Sequence, residues 1–431
     1  MKMKIAIYIN NSNISNVDCS DLTKGNPGIG GTEYCILLLA QLYKRYYPDN
    51  QITLIASSKG ILPEVDDIVI ENNLFAVPQT AKSIAADVLV VSSVFEGKPL
   101  PIDFFSAVEA EKIKTITWGH NFYLNDFCNL LVKNDFICAN VFVGHQQYDR
   151  YIDHEVIRKS TYIYNMYPEV SEPFRKENDG KTVTYIGSLV PTKGFHLLAN
   201  AWKAVLVEAP DAQLHVVGSG KLYDRNSKLG VYGIAEESYE NSFIKGITDR
   251  AGELLPSVHF HGVMGEEKKE LIARTSVGVA NPSGRTETFG ISAIDFSSRG
   301  VPVVTIASGG FLDTVENEKT GLLYNDTKDL AGCIVRLLKE KEFNEKCGEY
   351  GKEYSKQYAP EKLIVKWHEV FELVLKGKRP AIEMPTNFMK NNLKQFRILN
   401  RKIKNFLHWE YPISVIGIET IGRNLLRRLG H

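Results

Sequence analysis

Short apolar, β-rich runs alternate along this chain with stretches of helical spacing, and that alternation restricts the fold more than any other feature. In the first half the runs fall at residues 3–10, 51–56, 67–70, 87–92, 114–118, 137–143 and 161–164. A second series starts at Lys181 and continues at 213–217, 258–263, 277–280, after Gly300, and at 319–323. Strands alternating with helices predict α/β architecture with parallel sheets covered on both faces, which bind ligands at the carboxyl ends of their strands. At 431 residues the chain exceeds one ordinary domain of about 100–200 residues, so two such domains are expected. Composition shifts divide the chain into an N-terminal domain over 1–168, a polar, proline-broken linker over 169–180, and a second domain over 181–358. A closing helix over 359–376 and a basic tail over 377–431 follow.

With 44% hydrophobic and 24% charged residues the chain reads as globular, and 51 basic against 51 acidic side chains give no reason to expect a nucleic-acid partner. The charge is unevenly placed. Residues 376–431 hold 12 Lys and Arg against 3 acids, or +9, which leaves −9 on the first 375. Two amphipathic segments carry it. Phe396, Leu399, Ile403 and Phe406 form a stripe among Lys394, Arg397, Arg401, Lys402 and Lys404, and Ile416, Leu425, Leu426 and Leu429 follow beside Arg423, Arg427 and Arg428. Such segments, here within residues 380–431, either lie on an anionic membrane surface or pack their apolar stripe on the protein with the charges solvated. The run at 3–10 is short and polar residues follow it, so it reads as a strand and not a signal peptide. No apolar run reaches the roughly 18 residues of a spanning helix. Six scattered cysteines, without Cys-x-x-Cys pairs, point to reduced thiols in a cytoplasmic protein.

Candidate chemistry concentrates between Asn281 and Val304, where a strand feeds a polar loop, Gly290, a helical segment and a second strand. Glu287 precedes that helix and Asp295 stands about two turns further on, so both acids can face one side. Beside the outward amides of a helix start they suit a polar ligand with an anionic portion. Gly28-x-Gly30-Gly31, ahead of a helix expected from Glu33 to Tyr46, either lets a phosphate approach the backbone or is a flexible loop. It is not the Gly-x-Gly-x-x-Gly fingerprint. His120 and His145 both follow strands, and position alone does not separate them. His259 and His261 alternate on one strand face without a carboxylate or cysteine at ligand spacing, so no metal site is expected.

Several of these residues together resemble one family. Pro282-Ser283, Glu287-Thr-Phe-Gly290, Asp295, Gly300-Val-Pro-Val-Val304, Gly309-Gly310 and Thr320-Gly-Leu-Leu323 resemble the nucleotide-sugar site of retaining GT-B-type glycosyltransferases, glycosyltransferase family four. Tyr185–Gly194, Val217-Gly-Ser-Gly220 and Phe260-His-Gly262 match the first half of the same domain, and Gly30-Gly31, His120 and Ile163-Tyr-Asn165 fit the acceptor domain. The likeness runs over residues 3–376 and is strongest from 181 to 325. It implies the GT-B architecture, two Rossmann-like parallel-sheet domains facing a central cleft.

The resemblance also implies roles. A departing nucleoside diphosphate and an oxocarbenium-like sugar need fixed donors where charge develops. Lys193 matches the family's diphosphate-binding lysine, and the amides of Phe289, Gly290 and Ile291 would hold the phosphates. Glu287 would bind donor-sugar hydroxyls, Asp295 the ribose hydroxyls, and His120 would face the sugar from the other domain. No Asp-x-Asp motif occurs, consistent with catalysis without a metal, and no cofactor is expected besides the nucleotide sugar. Two positions depart from the pattern. Asp295 replaces the usual glutamate, and Ser188 stands where an arginine accompanies the lysine, a loss of about 2–4 kcal/mol of electrostatic stabilisation if nothing replaces it. Arg285 either supplies that charge or is a solvated loop residue.

The implied activity is retaining transfer of a hexose-type sugar from a UDP- or GDP-sugar to a surface polysaccharide or lipid-linked oligosaccharide precursor. It would take place in the cytoplasm or peripherally on the inner face of the plasma membrane. The alternatives are a related transferase with a soluble or protein acceptor, and a non-catalytic sugar-nucleotide-binding or scaffold protein.

Overall fold

The computed structural model describes all residues except 1, 169–177, 222–227, 266, 386–392, 409–412 and 429–431. Most of the expected linker over 169–180, and Leu429 of the second tail stripe, lie outside the described residues. Two compact units are present: Met1–Leu22, Thr32–Met166 and Glu361–His431 form unit 1, and Thr23–Gly31 with Tyr167–Pro360 forms unit 2.

Among the described residues, unit 1 is built on a seven-stranded sheet. Its strands are β1 (Lys4–Ile9), β2 (Gln51–Ala56), β3 (Asp67–Ile70), β4 (Val88–Ser92), β7 (Thr115–Gly119), β8 (Ile137–Phe142) and β9 (Ser160–Tyr162). A small antiparallel hairpin of β5 (Val94–Phe95) and β6 (Lys98–Pro99) stands apart from it. The order is β3-β2-β1-β4-β7-β8-β9 and every neighbouring pair is parallel. All residues of β4 and β7 are buried, as strands covered on both faces require. The helix expected from Glu33 starts at Gly31 and runs to Tyr46.

Unit 2 repeats the plan with six strands among its described residues, β10 (Thr182–Ile186), β11 (Gln213–Val217), β12 (Val258–Gly262), β13 (Val277–Val279), β14 (Val303–Ile306) and β15 (Gly321–Tyr324). They lie in the parallel order β12-β11-β10-β13-β14-β15. The helix Phe195–Glu208 covers one face and buries Phe195, Leu198, Trp202 and Val205 into the apolar core formed with β10 and β11. The two Rossmann-like parallel-sheet units expected from the alternation are thus present.

The C-terminal segments belong elsewhere than their sequence position suggests. The helix Pro360–Leu375, expected to close the second domain, is built into unit 1 from Glu361 onward. Its buried Trp367 stands edge-on to Trp118 with ring centroids 4.7 Å apart, and Lys114 Nζ donates to the carbonyls of Val374 and Leu375 at 3.3 and 2.9 Å. A cation satisfying the last carbonyls of a helix is a favourable C-terminal contact.

The first tail helix, Lys394–Leu407, also packs on unit 1, and with its charged side inward. The expectation that its apolar stripe packs on the protein, charges solvated, is overturned. Lys394, Arg397, Arg401 and Lys404 are at most 4% exposed, while Phe396, Leu399, Ile403 and Phe406 are 65, 56, 43 and 84% exposed. The reason lies in the surface beneath. Lys394 Nζ meets Asp149 at 2.7 Å, Arg397 Nη1 donates to Arg150 O at 2.9 Å, Arg401 to Ile152 O and His154 O at 2.6 and 2.8 Å, and Lys404 Nζ to Asp153 O at 2.7 Å. Buried carbonyls and carboxylates need donors that leucine and phenylalanine cannot supply.

Candidate active site

β10 and β13 are neighbours at the centre of unit 2, and the chain leaves them in opposite directions, β11 and β12 to one side and β14 and β15 to the other. The loops that follow β10 and β13 therefore emerge together at the topological switch point where open α/β sheets bind ligands.

The loop after β10 runs from Gly187 to Gly194. Gly218, at φ +142°, passes so near that a Cβ there would lie 1.9 Å from Gly187 O, so only glycine fits. Tyr185 Oη donates to Ser188 O at 3.3 Å and to Lys193 O at 2.9 Å, which fixes both ends of the loop from below. Ser188 is buried. Gly194, at φ +69°, brings the loop against Ser283, whose Oγ donates to Thr192 O at 2.9 Å.

The loop after β13 is held by Asn281. Its Nδ2 donates to Arg285 O at 3.2 Å and to Glu287 Oε2 at 3.1 Å, and its Oδ1 accepts from Ser283 N and Oγ at 3.3 and 2.8 Å. Asn281 and Thr286 both adopt positive φ, +23° and +58°, so the loop is a tight, specified turn. The turn aims Glu287 at Lys193, with Nζ and Oε2 2.9 Å apart. Burial alone would push the Glu287 carboxyl up; the Lys193 ammonium, Asn281 and the Gly290 amide outweigh it and hold the group below the usual carboxylate range. The result is a fixed carboxylate beside an ammonium, able to engage hydroxyls and an anion of one ligand.

The other expected residues are placed as follows. Phe289 is buried, its ring edge-on to Tyr358 at 5.3 Å, and Gly290, at φ +86°, hands the chain to the seven-residue helix Ile291–Ser297. Asp295, within that helix, has partners of its own: Oδ1 accepts from Tyr167 Oη at 2.5 Å and Arg299 Nη1 at 3.2 Å, and Oδ2 meets Lys268 Nζ at 3.1 Å. Burial would raise its carboxyl, but Lys268, Arg299 and Tyr167 hold it below the ordinary value. Arg285 is exposed. Gly30 and Gly31 end the segment Thr23–Gly31, where Asn26 Oδ1 accepts from the amides of Gly28 and Ile29, both at 2.9 Å, so the stretch is a built turn.

His120 lies in unit 1 at the end of β7, 8% exposed, with its ring 4.5 Å from that of Trp118. Burial pushes its pKa down to about 3, so the ring is neutral at pH 7. His145, the rival strand-end histidine, meets Asp149 at 3.3 Å, and Asp149 in turn seats Lys394 of the tail. Its partners are those of the tail interface. Sequence reasoning missed Asn281 as the organiser of the loop, and Tyr167, Lys268 and Arg299 around Asp295. Only Asp295 and Arg299 carried a signal, their i,i+4 spacing.

Residues 167–354 match the family described as Glycosyl transferases group 1. The matched segment makes up most of unit 2. An uncharacterized glycosyltransferase of Methanocaldococcus jannaschii is 28% identical over 238 residues, 55% of this chain and 58% of that protein. The D-inositol 3-phosphate glycosyltransferase of Corynebacterium jeikeium is 26% identical over 208 residues, 47% of this chain and 45% of that protein. The chain thus spans about half the length of these curated relatives. Among solved structures, Anabaena HepE in complex with UDP-glucose superposes with a TM-score of 0.62 at 16% identity, covering 86% of this chain and 99% of that one. Sucrose-phosphate synthase from Thermosynechococcus elongatus does so with a TM-score of 0.63 at 15% identity, covering 88% and 100%. Lys193, Asn281, Glu287 and Asp295 all fall inside the matched segment.

Proposed function

We propose that the chain is a retaining glycosyltransferase that moves a hexose-type sugar from a UDP- or GDP-sugar to a hydroxyl of a surface polysaccharide or lipid-linked oligosaccharide precursor, without a metal. The observation that carries this reading is the Lys193–Glu287 pair, 2.9 Å apart, on adjacent loops at the switch point of a group 1 domain. In it, Lys193 meets the diphosphate together with the Phe289 and Ile291 amides, the Gly290 amide being turned to Glu287 in this structure, and Glu287 takes the donor-sugar hydroxyls. His120, neutral at pH 7, is the third proposed catalytic residue. Asp295 is assigned to the ribose, which would share a carboxylate already bonded to Tyr167, Arg299 and Lys268. HepE was solved with UDP-glucose, which favours a uridine nucleotide. A soluble acceptor is the second reading, favoured by the D-inositol 3-phosphate glycosyltransferase among the relatives.

The test is a panel of nucleotide sugars offered to the purified chain, with release of nucleoside diphosphate as the readout. Turnover of one UDP- or GDP-sugar is expected, and failure of every donor to bind or react would remove the proposal. Exposed Arg285 is the proposed source of the cation missing at buried Ser188. On that assignment Arg285→Ala lowers turnover about tenfold or more, and turnover within twofold of wild type would return Arg285 to a solvated loop residue.

A further inference from the structure

The first tail helix is an amphipathic helix mounted inside out. Lys394, Arg397, Arg401 and Lys404 repeat at the same spacing as Phe396, Leu399, Ile403 and Phe406, and the two stripes occupy opposite sides. The charged stripe is sealed against unit 1 by buried bonds to Asp149, Arg150 O, Ile152 O, Asp153 O and His154 O. Because each of these bonds has a direction, the helix cannot roll to hide its apolar side without stranding the cations. The apolar side is thereby held outward.

The second tail helix, Val415–Arg428, is tied to the first and carries exposed apolar side chains of its own. Arg397 Nη2 meets Glu419 at 2.5 Å and Asn400 Nδ2 donates to Ile413 O at 3.2 Å, so the two segments are tied together. Ile413, Ile418, Ile421 and Leu425 are 60, 58, 49 and 54% exposed. Contiguous exposed apolar surface with a polar rim marks an interaction site. The rim decides which. Lys402 and Arg423 are exposed, whereas Glu419, the only acid among the described residues of the two helices, is engaged by Arg150 and Arg397.

We propose that this face docks on a lipid bilayer with anionic headgroups. Apolar side chains at the acyl boundary and cations at the headgroup level are the two terms that bind interfacial helices. A second copy of the chain fits less well, because it would set cationic rims against each other. The surface belongs to unit 1 and does not rest on the reading of the candidate site in unit 2.

The test is flotation of the full chain with phosphatidylcholine vesicles, with and without phosphatidylglycerol, at low and high salt. Wild type is expected to float with the anionic vesicles and to be partly released by salt. Leu399→Ser, Ile403→Ser and Phe406→Ser combined is expected to lower partitioning by about tenfold or more, with the circular dichroism spectrum retained because these side chains support no core. Lys402→Glu with Arg423→Glu should remove the preference for anionic lipid. Wild type left in the soluble fraction at low salt, or a triple variant that floats like wild type, would overturn the proposal. So would a dimer in solution that the triple variant dissolves, which assigns the face to a second copy. Nucleoside diphosphate release without vesicles should be unchanged in the triple variant; its absence in every form would count against the enzymatic reading and leave this one standing.

Discussion

Glu287→Ala is expected to lower sugar transfer by about 100- to 1,000-fold, the scale on which removal of one preorganised electrostatic contact acts. The reasoning starts from the pair. Asn281 and the Gly290 amide hold the Glu287 carboxylate, and Lys193 neutralises it at 2.9 Å. Alanine removes the proposed sugar contact and also releases Lys193 to move, so two contributions to transition-state stabilisation fall together. Glu287→Gln separates them, because the amide keeps the size and an acceptor oxygen while the charge is lost. Lys193→Ala is expected to be comparably slow, and the double variant should be much less than the product of the two losses, because the residues act as one unit. Stability should change little. The side chains are 22% and 14% exposed, and a pair partly open to water contributes on the order of 1 kcal/mol or less. If Glu287→Ala transferred sugar within about fivefold of wild type while Lys193→Ala did not, the acid would be only a positioning partner of the lysine.

How far such a site can be read from sequence depends on which interactions make it. Central strands were legible because a strand buried on two faces is a continuous apolar run; β2 and β11 fall on the expected residues, 51–56 and 213–217. The helix Lys341–Ser355 gave no comparable signal, since it buries only a few small residues such as Gly348 and Gly351 along a polar sequence. Spacing placed Glu287 before a helix, but its contact with Lys193 joins residues 94 positions apart and entered only through the family resemblance. The Asp295 environment was less accessible still. Tyr167 lies 128 residues away, and nothing in its local sequence marks it as the acid's hydrogen-bond donor. The tail shows a different failure. The stripe Phe396, Leu399, Ile403 and Phe406 was correctly delineated, whereas the second was not one face, with Ile416 buried and Leu425 and Leu426 exposed; for the first, patterning assumes that the apolar stripe is the one that faces protein. That rule gives way where the receiving surface is made of carboxylates and unpaired carbonyls.

That receiving surface also titrates, and the fold should weaken as pH falls from about 7 to about 5. His154 is 5% exposed and its Nδ1 accepts the Val156 amide at 3.0 Å, which requires that nitrogen to be unprotonated. Burial, then Lys404, and more weakly Arg401, push its pKa down to about 4 against the opposing pull of Glu155. His120 is pushed to about 3 by burial. Both folded values lie below the unfolded value of about 6.5, so the unfolded chain takes up protons first. The stabilisation is therefore complete above the unfolded pKa, is lost as pH drops beneath it, and levels off near the folded values. Between about pH 7 and pH 5 each histidine should cost about 2 kcal/mol. Asp149, raised by burial despite His145 and Lys394, works in the opposite sense and offsets part of the loss. Urea midpoints at several pH values measure the sum, and His154→Asn isolates one share: its Oδ1 can still accept the Val156 amide, so the cap survives while the titration is removed. A midpoint that ignores pH, or an undiminished slope in His154→Asn, would refute the assignment. Because the His154 carbonyl accepts Arg401 at 2.8 Å, protonation strains the seat of the first tail helix as well. Acid should therefore loosen the tail before it unfolds the sheet beneath.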